Sequence, residues 1–270
     1  MGEKDKIALI TIDVEEDPDQ DKGNKKTYWG VEELDPFMGF LGENNIQCTL
    51  FVTGDVLSRY PEKIRKWAEG NEIGCHGFSH ISLDHLSKNE REDELERFVN
   101  LYSNLLQVRP RGFRAVQNII DNEQIVLLKK QGFVYDSSVV PAYIPFKKYK
   151  GYRGNASKEP YFPSASNYLV DGRQGEKGLI EIPLSPAFMN FPLSGIWLKR
   201  LGTSFYNILF SIHKPRFIVL LFHSWDFIVL KKNNFDRRFS ESITSFILEL
   251  KKSYRFMKAV EVADIYKKHE

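Results

Sequence analysis

Short apolar runs alternate along the chain with longer segments whose apolar residues recur every three to four positions. That alternation predicts β–α units, in which a buried parallel strand is followed by an amphipathic helix. Strands are expected over residues 6–12, 47–53, 72–75, 112–115, 133–135, 179–182 and 217–222. Helices are expected over 31–43, over 55–69 with Pro61 interrupting, over 88–107, 123–131, 195–212 and about 240–252. The segment 88–107 is the clearest, with Leu95, Phe98, Val99, Tyr102, Leu105 and Leu106 on one face. Gly132 follows 123–131 as a helix stop. About seven strands, each usually followed by a helix, suit a distorted (β/α) barrel better than an open sheet.

Residues 137–178 break the pattern, being rich in Pro, Gly, Tyr and Lys without a sustained period. A loop that long is more often functional than incidental, so it is expected to contact substrate. No repeat or low-complexity tract divides the 270 residues, and one domain over 1–270 is the preferred organisation.

Composition narrows the function classes. Thirty-eight basic against thirty-six acidic residues leave a net charge of +2, which argues against nucleic acid as the main partner. Cys48 and Cys75 both sit in strand-like runs and make no disulfide framework, so a reducing compartment is the simpler reading. No run approaches the roughly 18 apolar residues of a membrane span, and the apolar run 7–10, next to acidic residues, is expected to be too short for a signal-peptide core. A cytoplasmic location is expected.

Polar residues with chemical capability fall where the strands end. Asp13, His76, Arg114, Asp136 and His223 each lie at the C-terminal end of a different predicted strand. In a β/α barrel those ends share one face, where active sites are built. His76 and His80, four residues apart, would face the same way if 76–80 makes a helical turn, and both imidazoles could then reach one metal. An isolated His-x-x-x-His is otherwise an ordinary loop pair.

Taken in order, these stretches resemble the polysaccharide deacetylases that share the NodB homology domain, the carbohydrate esterase 4-like family. Thr11-Ile12-Asp13-Val14-Glu15-Glu16 stands where the family carries its first acidic motif, and Cys75-His76-Gly77-Phe78-Ser79-His80 is similar to its histidine motif. Gly112-Phe113-Arg114-Ala115, Tyr135-Asp136-Ser137-Ser138 and Leu220-Leu221-Phe222-His223-Ser224-Trp225 resemble the three that follow. The resemblance implies a NodB-like barrel and a hydrolase that removes an N-acetyl or N-formyl group from an amino sugar. The carbohydrate would be an intracellular, lipid-linked or nucleotide-linked precursor of a surface polysaccharide. It also implies a divalent metal, zinc in the first place, with His76 and His80 as ligands, Asp13 as general base and His223 as general acid. Arg114 would hold Asp13 through a bidentate pair, and Asp136 would sit behind the site and orient His223.

The chain departs from the family pattern at three places. Val14 replaces a second aspartate; Glu15, on the same strand face as Asp13, fits an Asp-x-Glu variant and is the expected third ligand, with Asp13 as the fallback. Ala115-Val116 replaces the usual x-Pro after the arginine, and Gly77 replaces a hydroxyl residue. Two other readings stay open: a related amidohydrolase acting on a small non-sugar amide, and a non-catalytic sugar-binding homologue.

The remaining features carry paired readings. Residues 146–153 interleave Lys and Arg with aromatics, which suits either a surface for a phosphorylated sugar or a solvated loop. Trp197, Leu198, Leu201, Phe205 and Leu209 form a stripe beside Lys199 and Arg200. Packing on the barrel is the simpler reading of the stripe, and peripheral contact with the cytoplasmic membrane surface is the other. Trp225 and Phe227 either wall an acyl pocket or pack in the core, Asp226 reads as a helix cap, and His85, His213 and His269 show no partners in the sequence.

Overall fold

A computed structural model of the chain describes residues 6–18, 26–142, 149–172, 178–186, 192–230, 232 and 234–268. The chain opens with β1 (Ile7–Val14), then α1 (Trp29–Glu32) and α2 (Asp35–Glu43), where a single helix over 31–43 is expected. The break falls at Leu34, and Pro36 stands in the first turn of α2, where its missing N–H costs nothing. β2 (Thr49–Val52) leads into α3 (Gly54–Arg59), whose N-terminus is capped by the Thr53 side chain accepting from Val56 N–H. Pro61 restarts the helix as α4 (Pro61–Ala68). β3 (Glu72–Cys75), α5 (Lys88–Leu106), β4 (Gly112–Phe113), α6 (Asn122–Lys130), β5 (Tyr135–Asp136) and β6 (Ile180–Glu181) follow.

The expected helix over 195–212 is α7 (Gly195–Leu201) and α8 (Thr203–Ile212), split at Gly202. After β7 (Phe217–His223) come the hairpin of β8 (Ile228–Val229) and β9 (Asn234–Phe235), α9 (Arg237–Lys251), β10 (Arg255–Phe256) and α10 (Ala259–Lys268). The pattern reading does not reach the hairpin or β10, whose two-residue strands are too short to display a period, and it stops before α10.

Seven parallel strands run β7-β1-β2-β3-β4-β5-β6, with β10 added beside the first two residues of β1. Between β6 and β7 the curl is bridged by irregular chain. Val219 N–H donates to Ser185 Oγ at 2.8 Å, and Leu221 N–H donates to the Leu193 carbonyl at 3.1 Å. The result is the distorted (β/α) barrel that the order of elements predicts.

Alternation along the strands sorts side chains into two cores. Leu9, Phe51, Tyr135, Ile180, Val219 and Leu221 cluster together inside the curl, with Ala259, Val262 and Ala263 of α10 closing its floor. Ala8, Ile10, Ile12, Val14, Leu50, Phe113, Leu220 and Phe222 face the other way, into the layer packed by the helices. The interior set extends upward, by the same alternation, to Thr11, Asp13, Arg114 and His223. Polar groups cannot sit in an apolar interior without partners, so the top of the curl is where hydrogen bonds and chemistry collect.

Candidate active site

Asp13 is the last inward residue of β1, level with His223 of β7 and Phe51 of β2. Arg114, fully buried just past β4, fixes it with a 2.8 Å bond from Nη1 to Oδ1. The same Nη1 donates to Thr11 Oγ1, Nε donates to the Ser137 carbonyl and Nη2 to Ser137 Oγ, each within 2.9 Å. The guanidinium also lies 4.2 Å from the centre of the Phe51 ring. The expected bidentate pair is therefore a single bond to Asp13, because the other arm of the fork is held by Ser137. A buried guanidinium with this many partners is a rigid anchor for the carboxylate.

The two histidines approach each other, but not on a helical turn. Gly77 and His80 adopt left-handed backbone, with φ of 76° and 58°. The loop therefore doubles back and puts the rings 5.3 Å apart, centre to centre. Glycine at 77 makes the first of these conformations free of steric cost. Glu94, an acid on the buried face of α5, holds the loop in place. It accepts from Phe78 N–H, Ser79 N–H and Ser79 Oγ.

Each imidazole is oriented from behind. His76 Nδ1 lies 2.9 Å from the Arg114 carbonyl, which can only accept, so Nδ1 carries the proton and Nε2 faces inward. His80 Nδ1 lies 3.0 Å from Glu16 Oε1, and Lys26 Nζ stands 3.4 Å from that same oxygen. Both Nε2 atoms converge on Glu15 Oε2, at 3.1 Å from His76 and 2.8 Å from His80. The other oxygen of Glu15 accepts from Trp225 Nε1 at 2.9 Å. Asp13 Oδ2 stands back at 3.9 Å from His76 Nε2.

Glu15, His76 and His80 thus offer one carboxylate oxygen and two ring nitrogens within 4.8 Å of one another. Two nitrogens and an anionic oxygen pointed at one spot make a site suited to a cation. The electrostatics say the same. Burial would raise the Glu15 carboxyl, but the hydrogen bonds of His76 and His80 overcome it and hold the group well below its usual range. Burial would lower His80, yet Glu15 and Glu16 push it up to about 10. Two imidazoles and one carboxylate are a donor set suited to a divalent ion with positions left open, and the residues present fit such an ion.

His223 ends β7 with its ring stacked on Trp225, 4.2 Å between centres and 15° between planes. Its carboxylate partner is Asp226, not Asp136. Asp226 Oδ2 accepts from the His223 N–H at 2.8 Å and faces Nδ1 at 3.4 Å. Burial would lower this imidazole, but Asp226, with Glu15 and Asp13 behind it, raises it to about 9. Gly195 lets the chain press against Asp226, since a Cβ there would lie 2.1 Å from Oδ2. Asp226 is therefore more than the helix cap its position suggests.

Strand alternation removes Asp136 from the site. Its neighbour Tyr135 points into the curl, so Asp136 points out, where it accepts from Ser138 Oγ and meets its cross-strand partner Glu181. Burial and the Asp136 charge raise Glu181 well above the ordinary range, so it is the protonated member of the pair. Ser138 in turn accepts from Ala115 N–H at 2.7 Å, which shapes the backbone just after Arg114. The residue of this motif that reaches the interior is Ser137.

Beside His223 opens a cavity of about 250 Å³ whose walls include Asn118, Tyr149, Tyr152, Trp197 and Arg200. Tyr149 and Tyr152 come from the long segment over 137–178, of which 143–148 and 173–177 lie outside the described residues. Phe227 is core, stacked on Phe37 at 4.2 Å. His85 and His213 are exposed, with His85 3.8 Å from Asp84, and His269 lies outside the described residues. Cys48 and Cys75 are buried free thiols, raised by burial.

Sequence reasoning missed Glu94, Ser137, Glu16 and Asp226 as supports of the site, and read Trp225 as an acyl-pocket wall or core residue and not as the donor to Glu15. Only Glu94 leaves a clear trace, as an acid beside Leu95 and Phe98 on the apolar face of its helix.

The profile of the polysaccharide deacetylase family matches residues 4–135, which hold the acidic motif, the histidine pair and Arg114. Over that stretch the chain is similar to the polysaccharide deacetylase family. The peptidoglycan deacetylase of Helicobacter pylori is 30% identical over 164 residues, 60% of this chain and 55% of that protein. A peptidoglycan deacetylase-like protein of Gibberella zeae is 34% identical over 94 residues, 34% of this chain and 28% of its own length. The chain thus spans about half or less of the length of these relatives. Among solved structures, a Mycobacterium smegmatis protein classed with the polysaccharide deacetylases superposes with a TM-score of 0.71 at 22% identity. That match covers 99% of this chain and 92% of the other, which shows a shared fold over nearly the whole length. No helix among the described residues is long and apolar enough to cross a membrane.

Proposed function

We propose that this chain hydrolyses the N-acetyl or N-formyl amide of an amino sugar, using a divalent metal held by His76, His80 and Glu15. The observation that carries the reading is the convergence of both Nε2 atoms on Glu15 Oε2, with Asp13 beside them and the His223 cavity alongside. The donor set favours zinc. When bound, such an ion polarises the amide carbonyl and makes water a better nucleophile at neutral pH.

Asp13 takes the proton of the attacking water. The bond from Arg114 to Oδ1 orients the carboxylate and leaves Oδ2 on the side of His76. Water oxygen bonds to the acyl carbon, and the C–N bond then breaks as His223 gives its proton to the departing amine. Asp226 suits His223 to that task by holding Nδ1, so that Nε2 presents the proton. Acetate, or formate, and a free amino sugar result. Tyr149, Tyr152 and Trp197 give the cavity faces on which a sugar ring can stack, and Arg200 adds a charge suited to a phosphate-linked carrier. The peptidoglycan and chitin deacetylases among the relatives support an amino-sugar substrate.

The test is acetate release from chito-oligosaccharides by zinc-loaded protein, run beside an N-formyl amino sugar and a small cyclic amide. Release from an amino sugar, with about one metal per chain, is expected. Fully metallated protein that hydrolyses none of the three, scored as acid released or as ring opening of the cyclic amide, would leave a sugar-binding homologue instead.

A further inference from the structure

The α7–α8 pair presents a surface that the catalytic reading does not use. The stripe expected to pack on the barrel divides. Leu198 is buried, whereas Leu201 and Phe205 are exposed. They are joined on the outside of α8 by Ile208 and Ile212, which are 60% and 68% exposed. Residues 205, 208 and 212 are three and four apart in α8, so they share one helical face, and Leu201 stands just before the break at Gly202. The opposite face is already occupied, with Tyr206 buried and the Phe210 ring 6.0 Å from Phe246 of α9. Helix α8 carries no charged residue at all. A helix that is apolar on its inner face and again on its outer face is covered on both sides, by protein or by lipid.

Charge on the surrounding chain selects the covering. No Asp or Glu occurs from Ile182 to Trp225, while Arg200, Lys214 and Arg216 bracket α8 and are all exposed; Lys199 is exposed too but pairs with Asp236 at 3.4 Å. Helix α9, packed against α8, carries Glu241 and Glu249 but also Arg237, Arg238 and Lys251. A basic rim around an apolar helix face complements anionic headgroups above acyl chains: the bases stay at the phosphate level while the side chains of α8 enter.

We infer that the outer face of α7–α8 docks on an anionic lipid bilayer. Arg200 lines the substrate cavity and the next residue, Leu201, begins the docking face. Docking through this face sets the cavity within a few residues of the headgroup plane. A sugar acceptor carried on a lipid phosphate would then reach His223 from the membrane side. That last step rests on the deacetylase reading, whereas the docking itself does not.

The experiment is co-sedimentation of the full chain with phosphatidylglycerol/phosphatidylcholine vesicles and with pure phosphatidylcholine vesicles, at low salt and at about 1 M salt, where screening is nearly complete. Binding to the anionic vesicles is expected, with at least a tenfold loss on pure phosphatidylcholine or at high salt. The double variant Ile208→Glu/Ile212→Glu should lose binding to a similar degree and keep its hydrolysis of a soluble substrate and its circular-dichroism melt. A charge variant, Lys214→Glu/Arg216→Glu, leaves the apolar face intact and should show the same loss. Sedimentation that ignores lipid charge or both variants overturns the inference. So does a wild-type dimer that the isoleucine variant makes monomeric, because the face then serves a second copy. Vesicle binding needs no substrate, so it succeeds or fails independently of the hydrolytic reading.

Discussion

Replacing Trp225 by Phe isolates one hydrogen bond in the candidate metal site. The indole N–H of Trp225 donates to Glu15 Oε1 at 2.9 Å, while its ring stacks on His223. Phenylalanine keeps an aromatic face for the stack and removes only the donor. Glu15 is buried, and its other oxygen is the point on which both imidazoles converge. The indole therefore fixes which carboxylate oxygen faces the metal position. A hydrogen bond to a charged group contributes about 1.5–3 kcal/mol, so the metal dissociation constant should rise by about 10- to 150-fold. Outer hydrogen bonds on metal ligands commonly carry effects of about 10- to 100-fold. Competition against a chromophoric chelator gives the constant directly, and turnover at saturating metal shows whether His223 is still in place. Turnover should fall much less than affinity does. A dissociation constant within about twofold of wild type would refute the reasoning and leave Trp225 as a packing residue.

The other expectations concern protons and support. His223→Ala should keep its metal while losing most turnover; loss of the metal would show that His223 is a ligand and not the acid. Asp226→Asn removes the charge that holds His223 up near 9, so the basic limb of the rate profile should move to lower pH, because a general acid works only while protonated. An unmoved limb would mean that another group limits the rate. Glu94→Ala strands the N–H groups of Phe78 and Ser79 and the Ser79 hydroxyl, costing about 3 kcal/mol or more by urea denaturation and weakening metal binding with it. Glu181→Gln is expected to stabilise. In the fold Glu181 keeps its proton above the pH where the unfolded chain releases it, so wild-type stability falls as pH rises from about 4.5. Glutamine copies the protonated acid and lacks that loss, so its melting advantage should grow from pH 4.5 towards 7 and be absent below.

The order of strands, the inward register of Asp13 and the approach of His76, His80 and His223 to one end of the barrel were legible from local pattern. The reason is that a strand's alternation and a helix's period are written in consecutive residues. The same alternation shows that Tyr135 and Asp136 cannot both point inward, but only the packed barrel decides which does. Asp136 joins Glu181, and Ser137 takes the contact with Arg114.

Sequence alone determined that two histidines, a carboxylate cluster and an arginine stand at strand ends, and which family's motifs they resemble. The tertiary structure decided the rest. It placed the indole of Trp225 on Glu15 across 210 positions of chain, Glu94 under the histidine loop, and Asp226 rather than Asp136 behind His223. It also left Ile208 and Ile212 on the outside of α8, although the period of that helix is satisfied by either face. These outcomes depend on which distant surfaces meet when the apolar layers close, and no window along the chain contains both partners.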